Sequence, residues 1–164
     1  METTISKQTE NSVAKNQDYN CTFTVSNSAE EIFDAISRVN EWWITNTEGS
    51  SKKLNDVFII RFDETSFVTF KIVEMIPNKK VVWLVTDCYL PWFNDKKEWN
   101  NTKLGFEISK TETGTQMSMI HVGLSPKVEC YEMCVKGWNF YAGESLRKLI
   151  TEGKGLPDTP KSER

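Results

Sequence analysis

The amino-acid sequence predicts a single α+β domain in which a curved antiparallel sheet wraps around one long C-terminal helix. The chain has 164 residues, and two independent cores rarely fit in fewer than about 200 residues. Apolar residues alternate with period two in several segments before residue 125, whereas residues 126–152 have helical spacing. Strands that are grouped apart from the main helix are typical of α+β folds.

Both ends of the chain are predicted to lie outside this domain. Residues 1–17 are polar and contain few side chains that a core would bury, so they are interpreted as a disordered leader. Residues 154–164 contain Pro157 and Pro160 and no periodicity, and they are interpreted as a flexible tail. The domain is therefore predicted to span residues 18–153.

The domain is predicted to begin with a strand and two short helices. Alternating apolar residues favour a strand over residues 19–27. Ser28 and Glu31 have the spacing of a capping box, in which each side chain accepts a hydrogen bond from the backbone amide of the other residue. This motif predicts a helix over residues 29–38, and residues 40–44 are predicted to continue as a second short helix.

A run of strands and one long helix follow. Strands are predicted at residues 57–62, 67–76, 81–88, 102–110 and 115–124, with turn-forming sequences at 77–80 and 111–114. Pro126 is predicted to occupy the first turn of the long helix, where its missing amide is tolerated. That helix is predicted to end near Gly153.

Three stretches resemble the START-like (SRPBCC) superfamily in sequence and in order. They are SNSAEEIFDAISRVNEWW at 26–43, GTQMSMIHVGL at 114–124 and KGWNFYAGESLRKLITEGKG at 136–155. They look like the branch that contains the C-terminal domain of the activator of the ninety-kilodalton heat-shock-protein ATPase. The resemblance implies a helix-grip fold over residues 18–153, and this branch implies a chaperone partner and a role in the stress response. Across the superfamily the cavity holds lipids, plant hormones or polyketides, and a few members catalyse cyclisation, so the fold does not choose a function.

Alternation predicts which side chains face the long helix. We expect these side chains to line a cavity that binds a small hydrophobic molecule, because Met, Phe and Trp surround it and few polar groups are present. The predicted ligand-binding residues are Trp43, Trp83, Val85, Asp87, Leu104, Phe106, Met117, Met119, His121, Trp138 and Tyr141. Packing of the same side chains into a solid core is the alternative.

His121 is the only histidine of the chain. One interpretation is a hydrogen-bonded core residue, and the other is a polar contact for a ligand in the cavity. Asp87 is predicted on the same face of another strand, where it would pair with His121. Such a pair would suit a small enzyme of the cyclase or dehydratase type, although no catalytic motif is present in the sequence.

The connection over residues 89–99 is too apolar for an ordinary solvated loop. Trp92, Phe93 and Trp99 are predicted to close the cavity mouth as a lid. Two alternatives remain, namely packing on the second short helix and exposure as a surface for a protein partner or a homodimer.

Charge and hydropathy exclude several classes of protein. The chain contains 20 Lys and Arg and 23 Asp and Glu residues, so its net charge is −3. It therefore lacks the excess of basic residues that is typical of nucleic-acid-binding proteins. No apolar run approaches the length of a membrane span and none resembles a signal peptide, so a cytoplasmic location without membrane insertion is predicted.

The four cysteines are predicted to be free thiols in that reducing compartment. Cys130 and Cys134 are four residues apart and His121 is near in sequence, which raises a metal site as an alternative. The spacing is not that of a Cys-x-x-Cys motif and no fourth ligand stands out. No metal and no cofactor is therefore predicted.

Three hypotheses on function follow. The leading one is a cytoplasmic, non-enzymatic domain that binds a small hydrophobic ligand between sheet and helix. The second is a solid-cored protein-interaction module, and the third is a small enzyme that uses His121 and Asp87.

Overall fold

The computed structural model describes residues 18–159, and a seven-stranded antiparallel sheet is its largest element. Its strands are β1 (Tyr19–Val25), β2 (Thr47–Gly49), β3 (Val57–Arg61), β4 (Phe67–Ile76), β5 (Lys80–Tyr89), β6 (Lys103–Thr111) and β7 (Gly114–Val122). The order across the sheet is β1-β7-β6-β5-β4-β3-β2. The predicted leader and residues 160–164 lie outside the described residues.

Two helices pack on this sheet. Helix α1 is Ala29–Ser37, and a single 3₁₀ turn, Val39–Glu41, follows it. Helix α2 runs over residues 131–152 as an α-helical segment Tyr131–Phe140, a π-helical segment Tyr141–Leu146 and a final α-helical segment Arg147–Glu152. No helix within residues 18–159 is long and apolar enough to span a bilayer.

The predicted α+β helix-grip architecture is confirmed. The capping box forms as predicted, because Ser28 Oγ accepts from the Glu31 amide at 3.1 Å and Glu31 Oε1 accepts from the Ser28 amide at 2.9 Å. It starts α1, which buries Ile32 and Ile36 on one face. Gly153 ends α2 with φ 81°, a left-handed conformation that glycine adopts at low cost.

Two local predictions were wrong, and one strand was missed. The second short helix is only the 3₁₀ turn Val39–Glu41. Helix α2 begins at Tyr131 because residues 125–130 form two consecutive turns, closed by amides bonded to carbonyls three residues earlier at 3.0 and 3.2 Å. Strand β2 was not predicted, since Thr47–Gly49 is too short to show alternation and pairs only with β3.

Residues 154–159 are not a free tail, contrary to the prediction. The Asp158 amide donates to the Trp43 carbonyl at 2.7 Å, and the Leu156 amide donates to Ser145 Oγ at 2.7 Å. Residues 154–159 make these contacts through backbone amides, so no pattern of apolar side chains indicates them in the sequence. These contacts attach Asp158 to the segment that carries Trp43 and Leu156 to α2.

Candidate functional site

An apolar pocket opens between the first half of α2 and residues 90–102, which join β5 to β6. These residues are called the β5–β6 connection. Its volume is about 270 Å³. It is lined by Trp43, Phe62, Leu90, Trp92, Phe93, Trp99, Met133, Cys134, Gly137, Trp138 and Tyr141. The lining contains no acidic or basic side chain, so the pocket suits an uncharged, mostly apolar molecule.

Three buried indole rings form the rear wall of the pocket. The ring centroids of Trp43 and Trp138 are 4.7 Å apart. Trp99 also stacks on Trp138, with the centroids 5.9 Å apart and the planes 21° apart. Each of the three rings packs against another, so together they form a continuous aromatic wall.

The mouth of the pocket is apolar and open to solvent. Trp92 is 45% exposed and Met133 is 59% exposed. Trp92 contacts the edge of Phe62, with ring centroids 5.6 Å apart. Large apolar side chains rarely remain exposed next to one another on a soluble domain without a ligand or partner to cover them.

Two carboxylates tie the β5–β6 connection to the start of α2. Glu98 accepts hydrogen bonds from the backbone amides of Glu129 at 2.9 Å and Cys130 at 3.1 Å. Glu129 in turn accepts from the Asn94 amide at 2.9 and 3.1 Å. Carboxylates at a helix N-terminus satisfy amides that have no partner within the helix. The two walls of the pocket are therefore bound to each other.

His121 lies behind the rear wall, is fully buried and does not line the pocket. Its Nδ1 accepts from Trp138 Nε1 at 3.1 Å. An indole nitrogen only donates, so the ring proton resides on Nε2, which donates to Thr102 Oγ1 at 3.0 Å. Thr102 Oγ1 donates onward to the Trp99 carbonyl at 2.7 Å. Both ring nitrogens of His121 therefore form hydrogen bonds within the protein. This agrees with the interpretation of His121 as a hydrogen-bonded core residue.

Burial lowers the pKa of His121 from about 6.5 to about 3. Between these values the unfolded chain binds a proton that the folded chain excludes, so the free energy of unfolding should fall as the pH drops from 6.5 towards 3. The contribution of His121 is roughly 1 kcal/mol or slightly more for each pH unit. Urea melts between pH 7 and pH 4 should show this slope in the wild type and a shallower one in His121→Asn, which lacks the titration. Equal slopes would contradict the prediction.

Neither a family model nor a curated protein matches this sequence. Solved structures match its fold. The Aha1 dimer from Colwellia psychrerythraea superposes with a TM-score of 0.68 at 23% identity, over 84% of this chain and 98% of that chain. The chain shares the helix-grip fold of these solved structures. MLL2253 from Mesorhizobium loti matches with a TM-score of 0.64 at 17% identity, over 84% of this chain and 98% of the other. DynU16, a protein of the dynemicin biosynthetic locus, matches with a TM-score of 0.63 at 13% identity, over 85% of this chain and 49% of its own.

Asp87 does not face the interior of this helix-grip fold, and the predicted contact with His121 was wrong. Thr69 pairs with Asp87 and Phe70 pairs with Val85, so β5 contains one extra residue between them. Such a β-bulge reverses the alternation beyond it. The Asp87 side chain is 49% exposed and forms an ion pair with Lys97 at 2.8 Å, which lowers the pKa of Asp87. The acid–base pair that the enzyme hypothesis needs is therefore not formed.

The other predicted site residues divide into two groups. Six line the pocket, namely Trp43, Trp138 and Tyr141 of the ligand-binding set and Trp92, Phe93 and Trp99 of the lid set. Trp83, Val85, Leu104, Phe106, Met117 and Met119 are buried in the core and do not line it. The ring of Trp42 occupies the space over this second group, with centroids 6.4 Å from Trp83 and 6.2 Å from Phe106. This pocket is thus displaced from the sheet centre towards the β5–β6 connection.

Five lining residues were absent from the prediction, namely Phe62, Leu90, Met133, Cys134 and Gly137. A signal for two of them exists in the sequence. Cys134 and Gly137 precede Trp138 and Tyr141 at spacings that place all four on one face of α2. Phe62 and Leu90 directly follow strands, where period-two alternation no longer tells which way a side chain points.

The four cysteine thiols are free. The hydrogen bond with Cys130, followed by burial, raises the pKa of the Cys134 thiol. Cys130 Sγ accepts from Trp99 Nε1 at 3.4 Å. Thiols that remain protonated are poor nucleophiles and poor metal ligands. Among residues 18–159, no three His, Cys, Asp or Glu side chains are grouped as metal ligands.

Proposed function

We propose that the protein is a binding domain for a compact, mostly apolar molecule, which occupies the pocket between α2 and the β5–β6 connection. The observation that carries this proposal is an open space of about 270 Å³ with a wall of aromatic rings and an exposed apolar mouth. This volume is close to the lower end of the roughly 300–1,000 Å³ of typical ligand pockets. It suits a two-ring aromatic compound better than a sterol or a long fatty acid.

The burial of such a ligand is favourable enough for measurable affinity. Apolar surface removed from water contributes roughly 25 cal/mol per Å², and the loss of translational and rotational freedom opposes it by at least about 4 kcal/mol. A two-ring hydrocarbon that buries roughly 300–350 Å² of apolar surface gains roughly 8 kcal/mol, so it is expected to bind with a Kd on the order of 0.1–1 mM. The START-like fold supports the same function, because the sequence resemblance implies that its cavity holds apolar molecules.

A titration with naphthalene tests the proposal. The protein has six tryptophans, and their indole N–H groups give separate signals in a ¹H,¹⁵N correlation spectrum. We expect saturable shifts of the signals of the pocket tryptophans, with little change in that of Trp42, which lies outside the lining. Oleate serves as the comparison and is expected to bind more weakly because its chain exceeds the pocket. The absence of saturable shifts with naphthalene would refute the proposal.

A protein contact is a second candidate function, and the exposed side chains Trp92, Met133 and Phe140 favour it. The matching Aha1 structure from Colwellia psychrerythraea is a dimer, and we propose the same end of α2 as a contact for a second copy or another protein. Native mass spectrometry of the purified protein would report both the subunit number and any ligand that copurifies. A chaperone partner and the cytoplasmic location stay predictions.

A further inference from the structure

The indole N–H groups of the chain show what the pocket offers to a ligand besides apolar surface. An indole nitrogen is only a donor, and a buried one normally has a partner. Trp42 Nε1 donates to the Ile36 carbonyl at 3.2 Å. Trp99 and Trp138 donate to Cys130 Sγ and His121 Nδ1. These three donors are satisfied within the protein.

Trp43 departs from this pattern. It is 2% exposed, and within residues 18–159 its Nε1 has no hydrogen-bond acceptor. Two side-chain atoms of residues 18–159 have neither a hydrogen-bond partner nor any accessible surface, namely Ser66 Oγ and Asn100 Oδ1. Trp43 Nε1 is not one of them, so this unpartnered nitrogen still reaches open space. Trp43 lines the pocket between α2 and the β5–β6 connection. Trp83, whose N–H also has no acceptor in residues 18–159, likewise lines an opening, a separate groove beside α1.

The Trp43 ring is held in place from several sides. The backbone carbonyl of Trp43 accepts a hydrogen bond from the Asp158 amide at 2.7 Å. Its ring contacts Trp138 at 4.7 Å and Phe70 at 5.8 Å between centroids. The donor therefore cannot turn to bulk water without loss of this packing, and a donor fixed in advance favours a ligand that matches it.

We infer that the ligand of this pocket is a neutral, compact aromatic molecule that carries a hydrogen-bond acceptor, and that the N–H of Trp43 recognises this acceptor. This ligand class rests on the proposed function and narrows it. An acceptor of this kind is a ring nitrogen or a carbonyl oxygen. A pure hydrocarbon of the same shape leaves the buried donor without a partner, which lowers its affinity. A carboxylate is disfavoured because no basic side chain lines the pocket.

Naphthalene and quinoline test the inference, because the two probes have the same shape and differ by one ring nitrogen. At pH 8 quinoline is neutral. The indole signal of Trp43 is assigned by its loss in Trp43→Phe, which keeps an aromatic ring and removes the N–H. We expect quinoline to move this signal downfield and naphthalene to cause only a small ring-current shift. Trp43→Phe should weaken quinoline about three- to tenfold and naphthalene less than twofold, whereas Trp92→Phe at the mouth should not separate the two probes.

The outcomes distinguish the inference from the proposed function. If neither probe binds the wild type, the proposed function fails. If both probes bind and Trp43→Phe weakens them equally, the pocket stands and the role of the N–H is overturned. Should Trp43→Phe fail to fold, the wild-type spectra decide, since a Trp43 signal that does not move downfield with quinoline also overturns the inference.

Discussion

Replacement of Trp138 by alanine is expected to lower the free energy of unfolding by about 3–5 kcal/mol, the usual range for removal of a large buried aromatic side chain. Trp138 is buried and lies between Trp43 and Trp99. Its loss leaves a cavity in the core, because neither neighbouring ring is free to move into the space. It also removes the donor to His121 Nδ1, and a buried acceptor without a partner adds to the cost.

Urea melts of three variants separate these contributions. Trp138→Phe keeps a ring but lacks the N–H, so it should lie between the wild type and Trp138→Ala. Trp92→Ala is the surface control, because Trp92 is partly exposed at the pocket mouth, and it should cost less than the core substitution. A loss below about 1 kcal/mol for Trp138→Ala would be typical of a surface residue and would contradict this placement.

Replacement of Gly137 by leucine is expected to reduce the affinity for naphthalene at least about tenfold, on the premise that a filled pocket excludes the ligand. A Cβ atom at Gly137 would meet only the ring of Tyr141 at 4.0 Å, an ordinary contact distance. Its φ is not positive. Glycine inside a helix costs about 1 kcal/mol relative to alanine, so neither packing nor backbone conformation requires it here. The absence of a side chain at Gly137 keeps the pocket open.

The stability of the Gly137 variants should remain at the wild-type level or rise, which makes the loss of binding interpretable. Gly143→Ala is the matched control, since Gly143 also lies in α2 but outside the pocket, and its Cβ would meet Cys21 Sγ at 3.5 Å. This control should bind naphthalene like the wild type. Normal binding by a folded Gly137→Leu protein would show that the ligand does not occupy this pocket.

The helices and strands were predictable because local sequence patterns specify them. The Ser28–Glu31 capping box starts α1, and Gly153 ends α2 through a conformation that few other residues adopt. The alternation in β4 and β7 follows from one buried face. These signals act within a few residues, so a single sequence contains them.

The position of the site depended on events that local patterns do not encode. One extra residue in β5 turned Asp87 to solvent, since a single insertion reverses every later side chain of a strand. The adjacent Trp42 and Trp43 are equivalent in the sequence. Only the packed fold places one over Trp83 and the other beside Trp138.

By itself the sequence determined the α+β architecture and the aromatic character of the site, including the apolar connection with Trp92 and Trp99. Both follow from composition and from spacing along the chain. The tertiary structure alone decided that the sheet centre is filled, that the pocket lies beside α2, and that residues 154–159 hold Trp43 in place. The physical reason is that open space and unpaired donors remain only after all distant side chains have packed, and packing density depends on the whole set of contacts.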